Sequence, residues 1–202
     1  MTQEELNKLV DEHEKWLSNR SEGKQLILNE VDLRELHIVG RKLCRTVLEN
    51  IDLSGANLSA TSFYHSKLAN VNFSNGVLNN SDFSEVQLEN INFSGSQMND
   101  VEIHSLVNST FLNFDNAYLE RAFFVKSSIK NSSFKKAFLK EANFKRAYIS
   151  ESSLENADLR GDNFTYAFLI DVDGRNANIE DADFSNAREI PDEWKSKIKI
   201  AV

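Results

Sequence analysis

Ile51-Asp52-Leu53-Ser54-Gly55-Ala56-Asn57-Leu58-Ser59-Ala60-Thr61-Ser62-Phe63 carries a large apolar residue at every fifth position: Leu53, Leu58 and Phe63. The spacing extends back through Leu48, Leu43, Ile38 and Leu33 to Leu28, and forward through Leu68 and Phe73 to Ile103. It resumes one residue out of step at Phe114 and runs to Phe184, with a lapse at Gly174. A period of five fits neither a helix at 3.6 nor a strand at 2. The chain must therefore turn a corner with every unit, and repeats this short stack into a solenoid.

A second period, of twenty, lies on the first. Phe124, Phe144, Phe164 and Phe184 form one column, and Leu28, Leu48, Leu68 and Leu88 another. Each coil thus has four five-residue sides, and neighbouring coils pair as parallel strands about 4.8 Å apart. Phe63, Phe73, Phe83 and Phe93 recur every ten, so Phe fills two opposing sides and Leu or Ile the other two. Two positions before the centres, Val31, Ile51, Val71 and Ile91 are β-branched, whereas Ala117, Ala137, Ala157 and Ala177 are small. Sixteen units up to Ile103, one irregular unit and fifteen from Phe114 amount to about eight coils, a rod roughly 35–40 Å long. The corner slot, two residues after each centre, holds Gly40, Asn50, Gly55, Asn70, Asn75, Asn80, Asn90 and Gly95. These tolerate the positive φ of a type II turn. Arg121, Lys126, Lys136, Glu141, Arg146 and Glu151 hold the slot later, which predicts fewer type II turns after Phe114.

Units such as Ala56-Asn57-Leu58-Ser59-Ala60, Ala142-Asn143-Phe144-Lys145-Arg146 and Ala157-Asp158-Leu159-Arg160-Gly161 resemble the pentapeptide repeat family, with its A(D/N)LXX consensus. The resemblance covers most of the chain. It implies an all-β solenoid, a right-handed quadrilateral parallel β-helix, in which the centre and the residue two before it point inward. The residue before the centre and the two after it point outward.

At 202 residues, 41% hydrophobic and with a net charge of −8, the sequence reads as one soluble domain. No apolar stretch approaches a membrane span, and Met1 to Val10 is charged and unlike a signal peptide. A single cysteine, Cys44, makes no internal disulfide, so a reducing cytoplasm is expected. The only proline, Pro191, lies beyond the last repeat, as a sheet dependent on backbone donors requires.

An open solenoid needs caps at both ends. Thr2 and Glu5 make a capping box, and Leu6, Leu9, Val10, His13, Trp16 and Leu17 follow at helical spacing. They predict a helix over the first coil, ended by Ser21-Glu22-Gly23. Its His13, Trp16 and Leu17 are similar to a His-x-x-Trp-Leu segment that begins many family members. At the other end, Pro191-Asp192-Glu193-Trp194 starts a helix with proline at the first helical position, and Ile198, Ile200 and Val202 alternate as in a strand. The division expected is a capping helix over 1–23, the repeat region over 24–187 and a C-terminal cap over 188–202. Trp16 and Trp194 read as plugs; alternatively Trp194, Ile198 and Ile200 form a dimer contact.

The sequence has no phosphate-binding Gly-rich loop, no metal-ligand spacing and no nucleophile elbow. No catalytic, cofactor or metal residue is assigned. His65, between Arg45 and Glu85 in one column, reads as part of an exposed charge ladder, and Cys44 as a solvent-facing thiol; a hydrolase using either is a remote alternative. Lys135, Glu155 and Arg175 alternate in sign at spacing twenty, as do Glu120 and Lys140. Asp162 and Arg41 take inward slots. The first needs backbone donors, and the second is placed to reach the capping helix. One extra residue within His104–Asn113 puts Asn108 or Ser109 where a centre belongs and predicts a bulge.

Charge falls in blocks. From Thr46 to Glu120 there are one basic and nine acidic residues, and from Arg121 to Arg146 eight basic and one acidic. The eight circle the rod as a belt, with Lys126, Lys145 and Arg146 on the Phe124/Phe144 side. The belt reads as lacking aromatic stacking residues, so direct nucleic-acid binding is not expected. The candidate partner surface is Arg121, Lys126, Lys140, Lys145 and Arg146, with His104 and Asn108 at the bulge. The leading function is a non-catalytic protein-binding rod. The alternative, implied by the resemblance alone, is a DNA mimic that binds DNA gyrase or topoisomerase IV and protects against quinolones or topoisomerase-poisoning peptides.

Overall fold

Fully burying a leucine or phenylalanine contributes about 1.5–3 kcal/mol, and a five-residue period can bury every centre only by coiling the backbone around them. The computed structural model, which describes residues 1–198, has that form. Helix α1 (Gln3–Ser18) precedes eight strands: β1 (Ile27–Asn29), β2 (Val47–Asp52), β3 (Lys67–Asn72), β4 (Gln87–Asn92), β5 (Ser109–Asn113), β6 (Ser128–Lys130), β7 (Tyr148–Ser150) and β8 (Phe168–Ile170). Helix α2 (Asp192–Lys195) follows them. The strands form one parallel sheet in chain order, β1 to β8. Leu48 pairs with Leu68 and Leu68 with Leu88, the expected step of twenty. Single bridges at the same step hold the other three walls, as in Asn57 with Val77, Ser62 with Asp82 and Asp32 with Asp52. The chain is a parallel β-solenoid.

The phenylalanines make two stacked columns. Phe73, Phe93, Phe114 and Phe134 stack at 5.1, 5.0 and 4.7 Å, and Phe124, Phe144, Phe164 and Phe184 at 4.6, 4.9 and 5.1 Å. Across the interior the columns meet edge to face, as Phe83 and Phe93 do at 5.5 Å and 85°. Stacking along the axis and edge contacts across it both suit the ring quadrupole.

The expected change of turn after Phe114 is not present. Arg121, Lys126, Lys136, Glu141, Arg146 and Glu151 all keep positive φ, between 50° and 63°, as Asn50 and Gly55 do. Coiling imposes the conformation whatever side chain fills the slot. Turn hydrogen bonds hold it, for instance from Ala56 N–H to the Leu53 carbonyl (3.1 Å) and from Ala142 N–H to that of Leu139 (2.8 Å). What changes along the rod is strand length. Strands β2 to β4 run six residues, through corners at Asn50, Asn70 and Asn90, because buried Ile51, Val71 and Ile91 follow each corner. Those corners share an amide ladder: Asn70 Nδ2 donates to Asn50 Oδ1 (3.0 Å) and Asn90 Nδ2 to Asn70 Oδ1 (2.8 Å). Beyond β5, Ser132 and Ser152 take the inward slot, and each hydroxyl donates to the carbonyl two residues back, which ends the strand.

The bulge lies between β4 and β5, where the register step becomes twenty-one and Ile91 pairs with Leu112. Val107 and Asn108 are pushed outward, and buried Ser109 takes the centre between Leu88 and Ile129. Its hydroxyl has no partner among the described residues.

At the N-terminus the capping box is complete, with Glu5 N–H donating to Thr2 Oγ1 at 3.2 Å and Thr2 N–H to Glu5 Oε2 at 2.8 Å. Leu6, Val10 and His13 are the plug. Trp16 is half-buried, stacked on His13 at 5.6 Å, and Leu9 is exposed, so neither is the buried cap residue that helical spacing predicts. Arg41 does reach the helix: its guanidinium bonds Glu14 (2.9 and 3.1 Å) and Asp11. At the C-terminus Pro191 is the residue before α2 instead of its first helical residue. Trp194 is fully buried, its Nε1–H donating to the Gly174 carbonyl at 2.8 Å. That removes it from the predicted dimer contact. Ile198 is half-buried, and Ile200, like Val202, lies outside the described residues.

Candidate docking surface

The walls offer little chemistry. Among the described residues, no group of three or more His, Cys, Asp and Glu could hold a metal. His65 Nε2 lies 3.4 Å from Glu85 Oε2, both side chains 41% exposed, as a charge ladder predicts. Cys44 Sγ lies 3.3 Å from Ser62 Oγ. Asp162 is fully buried. Its Oδ1 accepts the Ala142 N–H at 2.9 Å, the expected backbone donor, but Oδ2 has no partner among the described residues. Burial pushes its carboxyl well above the usual range, and the position faces core, not a cleft.

Side chains that outward slots bring together on the surface are more informative. Half the basic belt is neutralised. The Arg121 fork grips Asp100 at 2.7 and 2.7 Å and holds its carboxyl below the usual range. Lys130 pairs with Glu151 (3.0 Å), Lys135 with Glu155 (3.3 Å) and Lys140 with Glu141 (3.6 Å). Glu120 contacts Arg121 at 3.4 Å, so the predicted rung between Glu120 and Lys140 does not form; each finds a nearer partner beside it in sequence. Glu155 is flanked by Lys135 and Arg175 as expected. Lys126, Lys136, Lys145 and Arg146 make no ion pair among the described residues.

Three of those four share one wall, and aromatic rings adjoin them. Lys126, Arg146 and Tyr166 occupy one corner column, and the Arg146 guanidinium lies 5.8 Å from the Tyr166 ring centre. Two residues further along each coil, Tyr148, Phe168 and Arg188 form the next column. Tyr148 and Phe168 are 6.4 Å apart, and Arg188 lies 5.5 Å over Phe168. Ala147 and Ala167, between the columns, turn fully inward, which brings the columns side by side at the edge of the tube. Tyr148, Tyr166 and Phe168 are 41%, 50% and 38% exposed. A shallow hollow of about 440 Å³ opens among Tyr166, Phe168 and Arg188. Arg188 also makes no ion pair among the described residues.

The belt therefore has aromatic neighbours, contrary to the sequence reading. That reading followed rings at the centres and passed over those one before or two after a centre, which face water. A second exposed pair, Tyr118 and Phe138, stacks at 4.8 Å on another wall, but the cations near it in sequence, Arg121 and Lys140, are already paired. His104 is half-buried, with Nε2 3.9 Å from Glu102. Asn108 borders a separate hollow of about 460 Å³ with Val107, Lys67, Gln87 and Glu89. Of the predicted surface, Lys126, Lys145 and Arg146 come together, Arg121 and Lys140 are tied to carboxylates, and Asn108 borders a different hollow.

A tube whose wall, not an enclosed cleft, carries the exposed side chains is the architecture of a short-repeat solenoid. The model for pentapeptide repeats matches eight copies, over residues 42–75, 56–95, 110–146 and 152–188, and the chain belongs to that family. No curated protein shows a significant sequence match. Among solved structures, HetL from the cyanobacterium Nostoc sp. strain PCC 7120, a pentapeptide repeat protein involved in heterocyst differentiation regulation, is 19% identical, with 85% of this chain and 92% of that one covered (TM-score 0.33). Trypsin-treated QnrB1, a plasmid-mediated fluoroquinolone resistance protein, is 18% identical over 82% and 91% (TM-score 0.46). Rfr23 from the cyanobacterium Cyanothece 51142 is 17% identical over 85% and 93% (TM-score 0.22). No helix among the described residues is long and apolar enough to cross a membrane.

Proposed function

We propose that the protein is a non-catalytic recognition rod that docks a partner protein on the edge formed by Lys126, Lys145, Arg146, Tyr148, Tyr166, Phe168 and Arg188. The carrying observation is the coincidence of unpaired cations with exposed rings on a rigid wall. Solvent-exposed Tyr, Phe and Arg side chains are the types that dominate protein interfaces. The backbone that carries these side chains is already ordered by coil stacking, so binding has only the side chains left to order. The reading places the rod in the cytoplasm and, with Trp194 withdrawn into the core, treats it as a monomer. Affinity capture from a source lysate, comparing wild type with Lys126→Glu, Lys145→Glu and Arg146→Glu combined, tests it. A partner retained by wild type and lost from the variant is expected; identical captures contradict it.

A second reading rests on the acidic coils between Thr46 and Glu120, with nine acidic residues to one basic: a DNA mimic acting on DNA gyrase or topoisomerase IV. Protection of gyrase supercoiling from a quinolone at micromolar protein supports that reading, and no effect removes it.

A further inference from the structure

The docking edge has a sharper chemical signature than its general character. It rests on the reading above and concerns what kind of segment is docked. Along the rod axis, Lys126 stands on the first coil, Lys145, Arg146 and Tyr148 on the second, Tyr166 and Phe168 on the third and Arg188 on the fourth. Acidic side chains bound this run. On the same wall, Asp82, Glu85 and Glu102 lie on the coils before Lys126; at the other end Glu189 follows Arg188 directly and Asp183 stands one five-residue unit before it. From the coil of Lys126 to that of Arg188 is three steps, about 15 Å, which an extended chain spans in about five residues.

We infer that the edge binds a short extended segment of a partner protein whose acidic ends flank large apolar side chains. The two guanidinium groups lie 5.8 and 5.5 Å from aromatic ring centres and make no ion pair among the described residues, so their donors are available to carboxylates. The rings between them give flat apolar contact to a residue in mid-segment. Length separates this occupant from nucleic acid. A single strand of any extent would leave the cations and run into the flanking carboxylates, and the chain's net charge of −8 opposes a long polyanion.

The test is fluorescence anisotropy with a fluorescein-labelled hexapeptide of two glutamates, two phenylalanines and two glutamates. Its controls are the same peptide with glutamine for glutamate, and labelled oligothymidylate. Saturable binding of the acidic peptide is expected. It should weaken about tenfold for Arg146→Glu, Arg188→Glu or Phe168→Ala and be unchanged for Lys67→Glu on the acidic half. The glutamine peptide should bind about tenfold more weakly. Circular dichroism melts show that each variant is folded, since all four positions are on the surface. No saturable binding at millimolar peptide, equal binding of the glutamine peptide, or tighter binding of oligothymidylate overturns the inference. If capture from lysate still depends on Lys126, Lys145 and Arg146 while the peptide fails, the docking surface stands and the acidic segment falls. If capture ignores those charges, the docking reading itself fails.

Discussion

The indole of Trp194 occupies the space that a side chain at Gly174 would fill, and donates its N–H to the Gly174 carbonyl at 2.8 Å. The two are twenty residues apart, one coil, so the lapse in the core period and the C-terminal plug are one feature. A Cβ at position 174 would overlap three indole atoms. Gly174→Ala should expel the ring and cost about 1–3 kcal/mol, and Trp194→Ala about 3–5 kcal/mol. In a Trp16→Phe background, tryptophan fluorescence of Gly174→Ala should shift red; an unshifted spectrum with an unchanged Tm contradicts the plug.

Asp162 lies in a column with Ala142 and Ala182, and its second oxygen has no partner among the described residues. Burial raises its folded pKa, whereas the unfolded value is near 3.8. Its contribution is therefore most favourable below about pH 4 and is lost as pH rises through the folded value. Asp162→Ala should stabilise the protein by about 1–3 kcal/mol at pH 7, and the advantage should shrink as pH falls toward 4. Urea melts at both pH values check this; an advantage independent of pH refutes the assignment.

His13 joins α1 to the first coil through both ring nitrogens. Nε2 lies 3.1 Å from the Cys44 carbonyl, and Nδ1 accepts the Leu26 N–H at 3.0 Å. Only a neutral ring satisfies both. Desolvation lowers its pKa from the ordinary 6.5, against opposing contributions from the Cys44 carbonyl and Glu14. This stability is present above about pH 6.5 and lost as pH falls through the depressed value. Protection factors of the α1 amides, corrected for intrinsic exchange, should fall as pH drops below about 6.5 in wild type, with a much weaker pH response in His13→Gln. Equal responses would falsify the role.

Lys136 holds positive φ (57°) at a corner without forming an ion pair among the described residues. Glycine adopts that conformation without the cost of roughly 1 kcal/mol that a Cβ incurs. Lys136→Gly should raise stability by about 0.5–1 kcal/mol; a lowered Tm contradicts the imposed-turn account.

Period five and period twenty make the tube legible in the sequence, because nearly every centre is a large apolar residue. The bulge was legible too, as a count of one extra residue, and so was the reach of Arg41 to the capping helix. Turn conformation was not, since the coil dictates φ at Arg146 as firmly as at Gly55. The Trp194 plug is half visible in the sequence: the lapse at Gly174 and the tryptophan each stand out, but only the fold shows that one fills the other. The docking edge was missed where it mattered most. Outward Tyr148, Tyr166 and Phe168 lie off the five-residue run of core centres, and neutralisation of Arg121 and Lys140 depends on carboxylates brought close by coil stacking or by adjacency at a corner.

The most direct measurement of the docking claim is site-specific photo-crosslinking in the source cell, with benzoylphenylalanine replacing Tyr148 or, on another wall, Asp158. Covalent adducts to one protein from position 148 and none from position 158 are the predicted result. Adducts from 158 alone, or none from 148 under conditions where the folded protein is abundant, contradict it.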